Sequence, residues 1–315
     1  TENDPYTREI ECLKLQFNFW ALEPRKGDLI VGRRLDTPIG FLPQSSGGQV
    51  GYYCDCEALK RMYISDEFTA EEKKQLLDLL DFWKGKTTRE KTFARYSDEQ
   101  KEQLTHGDFN TDPGFGFPLY RMSGAQMNPE KLLHKGIDGL IQTCEETREK
   151  NPKFFDGLKN ALLLLQDLCL HYADLCREQA DKAQAKEKEN LMQMEKNLRH
   201  IAHAPAQTFW QAMQLAYLFF VFSGTFNYGR MDDYLGPYYT NDLASGEIQE
   251  DFALELTTNL WQLINERKTT WDARIILGGK GRSHPKEADC FARLAIETTR
   301  RVRDTLPQLT LRCYR

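Results

Sequence analysis

The sequence predicts a helix-rich α/β domain. Three observations predict it. Long stretches carry apolar residues three and four positions apart, the period of a helix with one buried face. Residues 273–277 and 308–312 read as strands and flank a helical stretch, the pattern of a β–α–β unit with parallel strands, in an open sheet or a barrel. No internal repeat and no flexible linker interrupts residues 1–315, which read as one domain.

The elements follow in order. Residues 11–19 can form a short helix. Residues 27–32, Gly-Asp-Leu-Ile-Val-Gly, read as a brief strand between glycines. Residues 37–51 are rich in Pro, Gly and Ser and read as loop. Thr69 with Glu72 three residues on is a capping box, and Leu76, Leu77, Leu79, Leu80 and Trp83 continue that helix. Ser97 opens another short helix. Residues 105–124 are again loop. A helix starts at Asn128-Pro129 and carries Leu132, Leu133, Ile137, Leu140 and Ile141. Leu158, Leu162, Leu165, Leu168, Tyr172 and Leu175 form one apolar stripe. Residues 177–197 are mostly Lys, Glu, Gln and Ala with interleaved signs, which reads as a solvated helix face. A helix with Pro205 in its opening turn runs through Phe209 and Phe219, and further helices cover 252–264 and 288–302.

Composition narrows the function. The profile of 40% hydrophobic and 28% charged residues is that of a globular chain. The net charge of −5, with both signs interleaved, excludes a concentrated basic surface for nucleic acid. The most apolar run, residues 212–222, is too short to cross a bilayer and contains Gln214 and Tyr217. Neither a basic n-region nor an apolar h-region of a signal peptide opens the chain. Eight cysteines in this setting predict reduced thiols and a cytoplasmic location. The chain starts without Met and stops inside a predicted strand, so a segment cut from a longer protein is expected.

Several motifs have simpler readings. Residues 278–282, Gly-Gly-Lys-Gly-Arg, follow a predicted strand, but no phosphate-loop pattern completes them, and a tight turn suffices. Cys54-Asp55-Cys56 lacks the wider spacing and the second ligand pair of a zinc site, so no metal is expected. His203, before Ala204-Pro205, fits a structural hydrogen bond at a helix entrance. No nucleophile elbow is present. Residues 227–239, Asn-Tyr-Gly-Arg-Met-Asp-Asp-Tyr-Leu-Gly-Pro-Tyr-Tyr, read as a Gly-Arg-x-Asp turn followed by aromatics and Pro. Arg230 there can pair bidentately with a carboxylate, as a structural ion pair or in a substrate site.

Taken in order, these pieces resemble a known family. Pro205-Ala206-x-Thr208-Phe209-x-x-Ala212-x-Gln214, then Gly229-Arg230-x-Asp232-x-Tyr234-x-x-Pro237-Tyr238-Tyr239, resemble the pyruvate formate-lyase-like domain of glycyl radical enzymes. Residues 27–32, 82–87, 131–140, 276–279 and 307–312 resemble further pieces of it, so the likeness covers nearly the whole chain.

The resemblance implies a ten-stranded α/β barrel wrapped by helices, of which residues 1–315 would supply the amino-terminal helices and about the first half of the barrel. It implies radical chemistry, in which a radical-SAM activating enzyme installs a glycyl radical in a loop outside this chain. A cysteine on a barrel-centre loop then abstracts hydrogen from a small polar substrate, inside an interior that excludes water. Neither the glycine-cysteine-valine-glutamate motif nor the radical-glycine motif is present, so no catalytic residue and no bound cofactor is expected in this chain, which by itself should be inactive. A homodimer, and neither nucleic acid nor membrane as partner, is also implied. In family members that dehydrate diols, a His precedes the Gly-Arg-x-Asp turn. Residues 224–227 here read Gly-Thr-Phe-Asn, and residues 121–126, Arg-Met-Ser-Gly-Ala-Gln, also lack the family's substrate-facing His. Both departures argue against glycerol or propanediol as substrate and leave Thr225, Asn227, Arg121 and Gln126 as candidate substrate contacts. The expected activity is cleavage of a C–C, C–O or C–N bond. Acyl transfer of the formate C-acetyltransferase type, and a non-catalytic helical scaffold of the same fold, are the alternatives.

Overall fold

The computed structural model describes residues 4–33, 39–42, 51–87, 90–91, 94–105, 128–225, 227–267 and 273–313. The chain divides into two compact units, residues 36–125 and the remainder.

The smaller unit contains β1 (Ile39–Leu42) paired antiparallel with β2 (Gly51–Cys54), Ile39 opposite Cys54. The strands fall at the two edges of a stretch whose composition reads as loop. Helix α2 (Cys56–Ile64), which the sequence reading missed, starts at Asp55, whose carboxylate accepts the Ala58 amide at 2.9 Å. Helix α3 (Ala70–Trp83) opens on the expected capping box: the Glu72 amide donates to Thr69 Oγ1, and Glu72 Oε2 accepts from the Thr69 amide. Helix α4 (Asp98–Thr105) follows.

The larger unit is built of helices around a short parallel sheet. Helix α1 (Pro5–Trp20) packs on α6 (Pro152–Ala180), which in turn packs against α5 (Glu130–Thr147) and α7 (Ala185–Ile201). Asn151 caps α6, with Pro152 in its first turn, where a missing N–H costs nothing. Its stripe of Leu165, Leu168, Tyr172 and Cys176 is fully buried. The Lys- and Glu-rich stretch 177–197 is mostly solvated, as expected, but it spans two helices. Helix α6 ends at Ala180, and α7 returns with Leu191, Met194 and Leu198 facing inward.

Helix α5 breaks its regular geometry at Gly136 (φ 70°, ψ 174°). A Cβ there would lie 2.7 Å from the backbone of Ala204 and Pro205, so only glycine admits this approach. Helix α8 (Phe209–Phe222) is buried on nearly every side, as its composition demands. Pro205 lies before it, not in its first turn, and Thr208 is the cap, accepting the Gln211 amide.

Residues 27–32 form no strand. The chain bends at Leu29 and Ile30; Leu29, Ile30 and Val31 are buried, and side chains supply their backbone hydrogen bonds. Asn259 Oδ1 accepts the amides of Leu29 (2.9 Å) and Ile30 (2.8 Å). Gln214 Oε1 accepts the Val31 amide at 2.9 Å, and its Nε2 returns a bond to the Val31 carbonyl at 3.0 Å. Trp210 Nε1 donates to the Leu29 carbonyl at 2.8 Å. A buried backbone must be bonded to something, and sequence pattern alone does not say to what. The buried Arg33 closes the segment with two bonds to Asp28 (2.8 and 3.1 Å) and one to Glu266 (2.7 Å).

Helix α9 (Met231–Ser245) lies where the sequence suggested only a turn with Pro. It tolerates Pro237, and Thr240 Oγ1 donates to the carbonyls of Gly236 and Pro237. Gly236 is required where α9 crosses α11 (Pro285–Val302): a Cβ would meet the Glu287 carbonyl carbon at 2.7 Å. Helix α10 (Glu250–Glu266) completes the wall.

Strands β3 (Arg274–Gly278) and β4 (Gln308–Arg312) pair in parallel, Leu277 opposite Leu311, with α11 as the crossover. On the other side of β3, Gly229 bridges Ile275 in parallel. Residues near Gly229, β3 and β4 are thus three neighbouring parallel segments.

Candidate functional site

The site region is the bend between α8 and α9, residues 223–230, where the chain leaves a buried helix and joins the edge of β3. The bend closes on itself: the Thr225 amide donates to the Phe220 carbonyl at 3.0 Å, and Thr225 Oγ1 accepts from Ser223 Oγ at 3.1 Å. The Tyr228 amide then donates to the Arg274 carbonyl (2.9 Å), and the Ile276 amide to the Gly229 carbonyl (2.8 Å). These bonds set the bend at the amino end of β3.

Thr225 and Asn227, two candidate substrate contacts, lie together in this bend and are both buried. Arg121 and Gln126, the other two, lie outside the described residues.

The sequence reading missed Arg267. It is the residue after α10, where a cation meets the negative end of the helix. It is only 6% exposed, and its Nη1 donates to the Thr225 carbonyl at 3.0 Å and to Tyr228 Oη at 3.1 Å. Burial pushes the Tyr228 hydroxyl up, and the Arg267 guanidinium pulls it partly back. Tyr217 and Tyr234 beside it are pushed well up by burial. The one available signal was position: a basic residue directly after the last periodic residue of an amphipathic helix. Met213, Tyr217, Phe220, Tyr228, Met231 and Tyr234 surround a small cavity with room for about one water. That is too little for a substrate.

The Gly-Arg-x-Asp turn is a clamp. Arg230 does not pair bidentately with a carboxylate. Its Nη2 donates to the Gly278 carbonyl at 2.7 Å and its Nη1 to the Lys280 carbonyl at 3.0 Å. Asp232, with no exposed surface, accepts the Gly278 amide at 2.7 Å and faces Arg282 Nη1 at 3.4 Å. Burial raises its carboxyl above the usual range, opposed by the Gly278 amide, Arg282 and Arg230. Asp233 accepts the amides of Ser283 and His284 at the entrance to α11. The turn therefore ties the carboxyl end of β3 to the start of α9. The Gly278 amide is aimed at an aspartate, which disfavours an incoming phosphate at that point.

His203 has the expected structural role: its Nδ1 lies 3.2 Å from Asp138 Oδ2 and 3.2 Å from Gln166 Nε2. Among the described residues, no group of three or more His, Cys, Asp or Glu side chains is arranged to hold a metal. No described helix is long and apolar enough to cross a membrane.

The sequence profile described as "Pyruvate formate lyase-like" matches residues 2–315. The chain belongs to the pyruvate formate lyase-like family. It is 26% identical over 278 residues to a protein of Escherichia coli (strain K12) named "Probable dehydratase YbiW", covering 78% of this chain and 34% of that one. It is 28% identical over 252 residues to a (2S)-3-sulfopropanediol dehydratase of Klebsiella oxytoca, covering 72% of this chain and 29% of that one. A solved structure concerned with 1,2-propanediol dehydration in Roseburia inulinivorans superposes with a TM-score of 0.77 at 21% identity, covering 99% of this chain and 41% of that one. This last likeness establishes a helix-rich fold of the glycyl radical enzyme type. The chain spans about a third of the length of the curated relatives it matches.

Proposed function

We propose that this chain is the amino-terminal part of a glycyl radical enzyme of the lyase or dehydratase type, acting on a small polar metabolite. One observation carries the reading. The bend that holds the buried Thr225 and Asn227 leads into the Gly229 segment of the parallel sheet at the amino end of β3, while the family's Gly-Arg-x-Asp turn fixes the carboxyl end of that strand. The relatives' names, both dehydratases, favour bond cleavage over acyl transfer.

On this proposal the three parallel segments are the first strands of the family barrel, and residues 1–315 belong to a single pyruvate formate-lyase-like domain. Leu311, 55% exposed on β4, fits a strand awaiting a further neighbour. Thr225 and Asn227 bind and orient the substrate through hydroxyl and amide groups, with Arg121 and Gln126 as further contacts. The surrounding aromatic helices exclude water from the reacting atoms. The radical is held on residues outside this chain and is installed by a radical-SAM activating enzyme. The proposal includes a cytoplasmic homodimer.

EPR of the full-length protein after anaerobic reduction with its activating enzyme tests this. A doublet from a glycyl radical, lost on exposure to air, is expected. Absence of any organic radical from folded protein, with an activase that is active on another substrate, would overturn the reading.

A further inference from the structure

The smaller unit carries a feature that the proposed reaction does not use. Cys54 ends β2 and Cys56 begins α2, with their sulfurs 3.9 Å apart. Between them, Asp55 spends its carboxylate on the Ala58 amide and so fixes the turn that aims the two side chains at each other. Both cysteines are only half-buried, whereas Cys144, Cys169 and Cys176 are buried in the larger unit. Cys169 and Cys176 have no exposed surface, so no small disulfide reaches them. Cys12 lies on α1, Cys290 on α11, and Cys313 follows β4.

We propose that Cys54 and Cys56 are a redox dithiol that closes reversibly to an intramolecular disulfide on meeting a low-molecular-weight disulfide such as oxidised glutathione. The Cys56 thiolate attacks one sulfur of the oxidant, forms a mixed disulfide and releases one thiolate, which takes up the proton Cys56 lost. Cys54 then loses its proton and attacks the Cys56 sulfur, and the second glutathione leaves with that proton. Two protein thiols lose two electrons, and one small disulfide becomes two thiols. The order of attack follows from the surroundings. The Cys54 thiol is pushed up to about 12, first by burial and then by its neighbour Cys56, with Asp55 and Glu90 adding negative charge. The adduct on Cys56 removes that neighbour's charge, which lowers the barrier to the second step. The Sγ contact makes the second thiol a local reactant.

The test is peptide mapping of the reduced, desalted chain after exposure to oxidised glutathione. The proposal expects the peptide holding both residues to lose about two mass units, without a retained adduct, and to recover them with dithiothreitol. Cys54→Ser should keep glutathione on Cys56, because nothing displaces it. Cys56→Ser should react at Cys54 at least about 10-fold more slowly than Cys54→Ser reacts at Cys56. A glutathione adduct persisting on the unsubstituted chain, an unreacted pair, or bridges formed elsewhere would each overturn the proposal. The readout is independent of any radical, so it stands or falls apart from the proposed activity.

Discussion

Two buried stretches of the larger unit solve one problem differently. Residues 28–33 are buried without regular secondary structure, and Asn259, Gln214 and Trp210 bond the backbone of Leu29, Ile30 and Val31. The sheet of Gly229, β3 and β4 satisfies its own backbone through ladder bonds. In the first case fold stability is concentrated in a few side chains distant in sequence. In the second it is spread over main-chain bonds that, away from Gly229 and Gly278, do not depend on a particular side chain. A single substitution should therefore be severe in the first region and mild in the second.

The largest expected effect is at Arg33. Arg33→Met leaves Asp28 buried without its cation and should cost about 3–5 kcal/mol in urea unfolding. Asn259→Leu strands two buried amides and should cost roughly 2–5 kcal/mol, with amide exchange at Leu29 and Ile30 accelerating first. If that variant is as stable as the parent, side-chain bonding of the segment is wrong. By contrast, Thr310→Ala on β4 keeps every ladder bond and should stay within about 0.5 kcal/mol of the parent.

Asp232 sharpens the comparison from the sheet side, because it is a side chain placed inside the ladder region. Its carboxyl is raised by burial, so the folded state holds its proton more tightly than the unfolded chain. The stability it contributes is full below the unfolded value, about pH 4, and is lost as pH rises through the raised folded value. Asp232→Asn keeps an acceptor for the Gly278 amide but cannot titrate. Its stability relative to the parent should therefore improve as pH rises from about 4 to 7. A constant difference across that range would refute the assignment. The smallest effect is at exposed Glu297, whose bonds to Arg300 and Arg301 hold its carboxyl down at about 2. NMR titration of its side chain should show that midpoint, and Arg301→Gln should move it upward.

Much of this was legible in the sequence, and the misses share a cause. Local chemistry was readable: the Thr69–Glu72 capping box, the stripe of α6 and the parallel pairing of 273–277 with 308–312 need only neighbours or period. Residues 27–32 read as a strand because an apolar run between glycines looks alike whether a neighbouring strand or Asn259 bonds its backbone. Helix α9 was hidden because Gly236 and Pro237 signal a turn, whereas the close crossing with α11 selects that glycine. Arg230 looked like an ion-pair residue, since nothing local shows that two carbonyls fifty residues on would take its donors. Thr225 and Asn227 came from family resemblance alone. Arg267 was marked only by its place after a helix, because its partners lie about forty residues earlier.

The most direct test of the site is a crystal structure of the full-length protein with its substrate, determined without oxygen. The Thr225 hydroxyl and the Asn227 amide are expected within hydrogen-bonding distance of the substrate, beside the segment that joins β3 at Gly229. A substrate bound elsewhere, with both side chains directed only at protein, would contradict this placement.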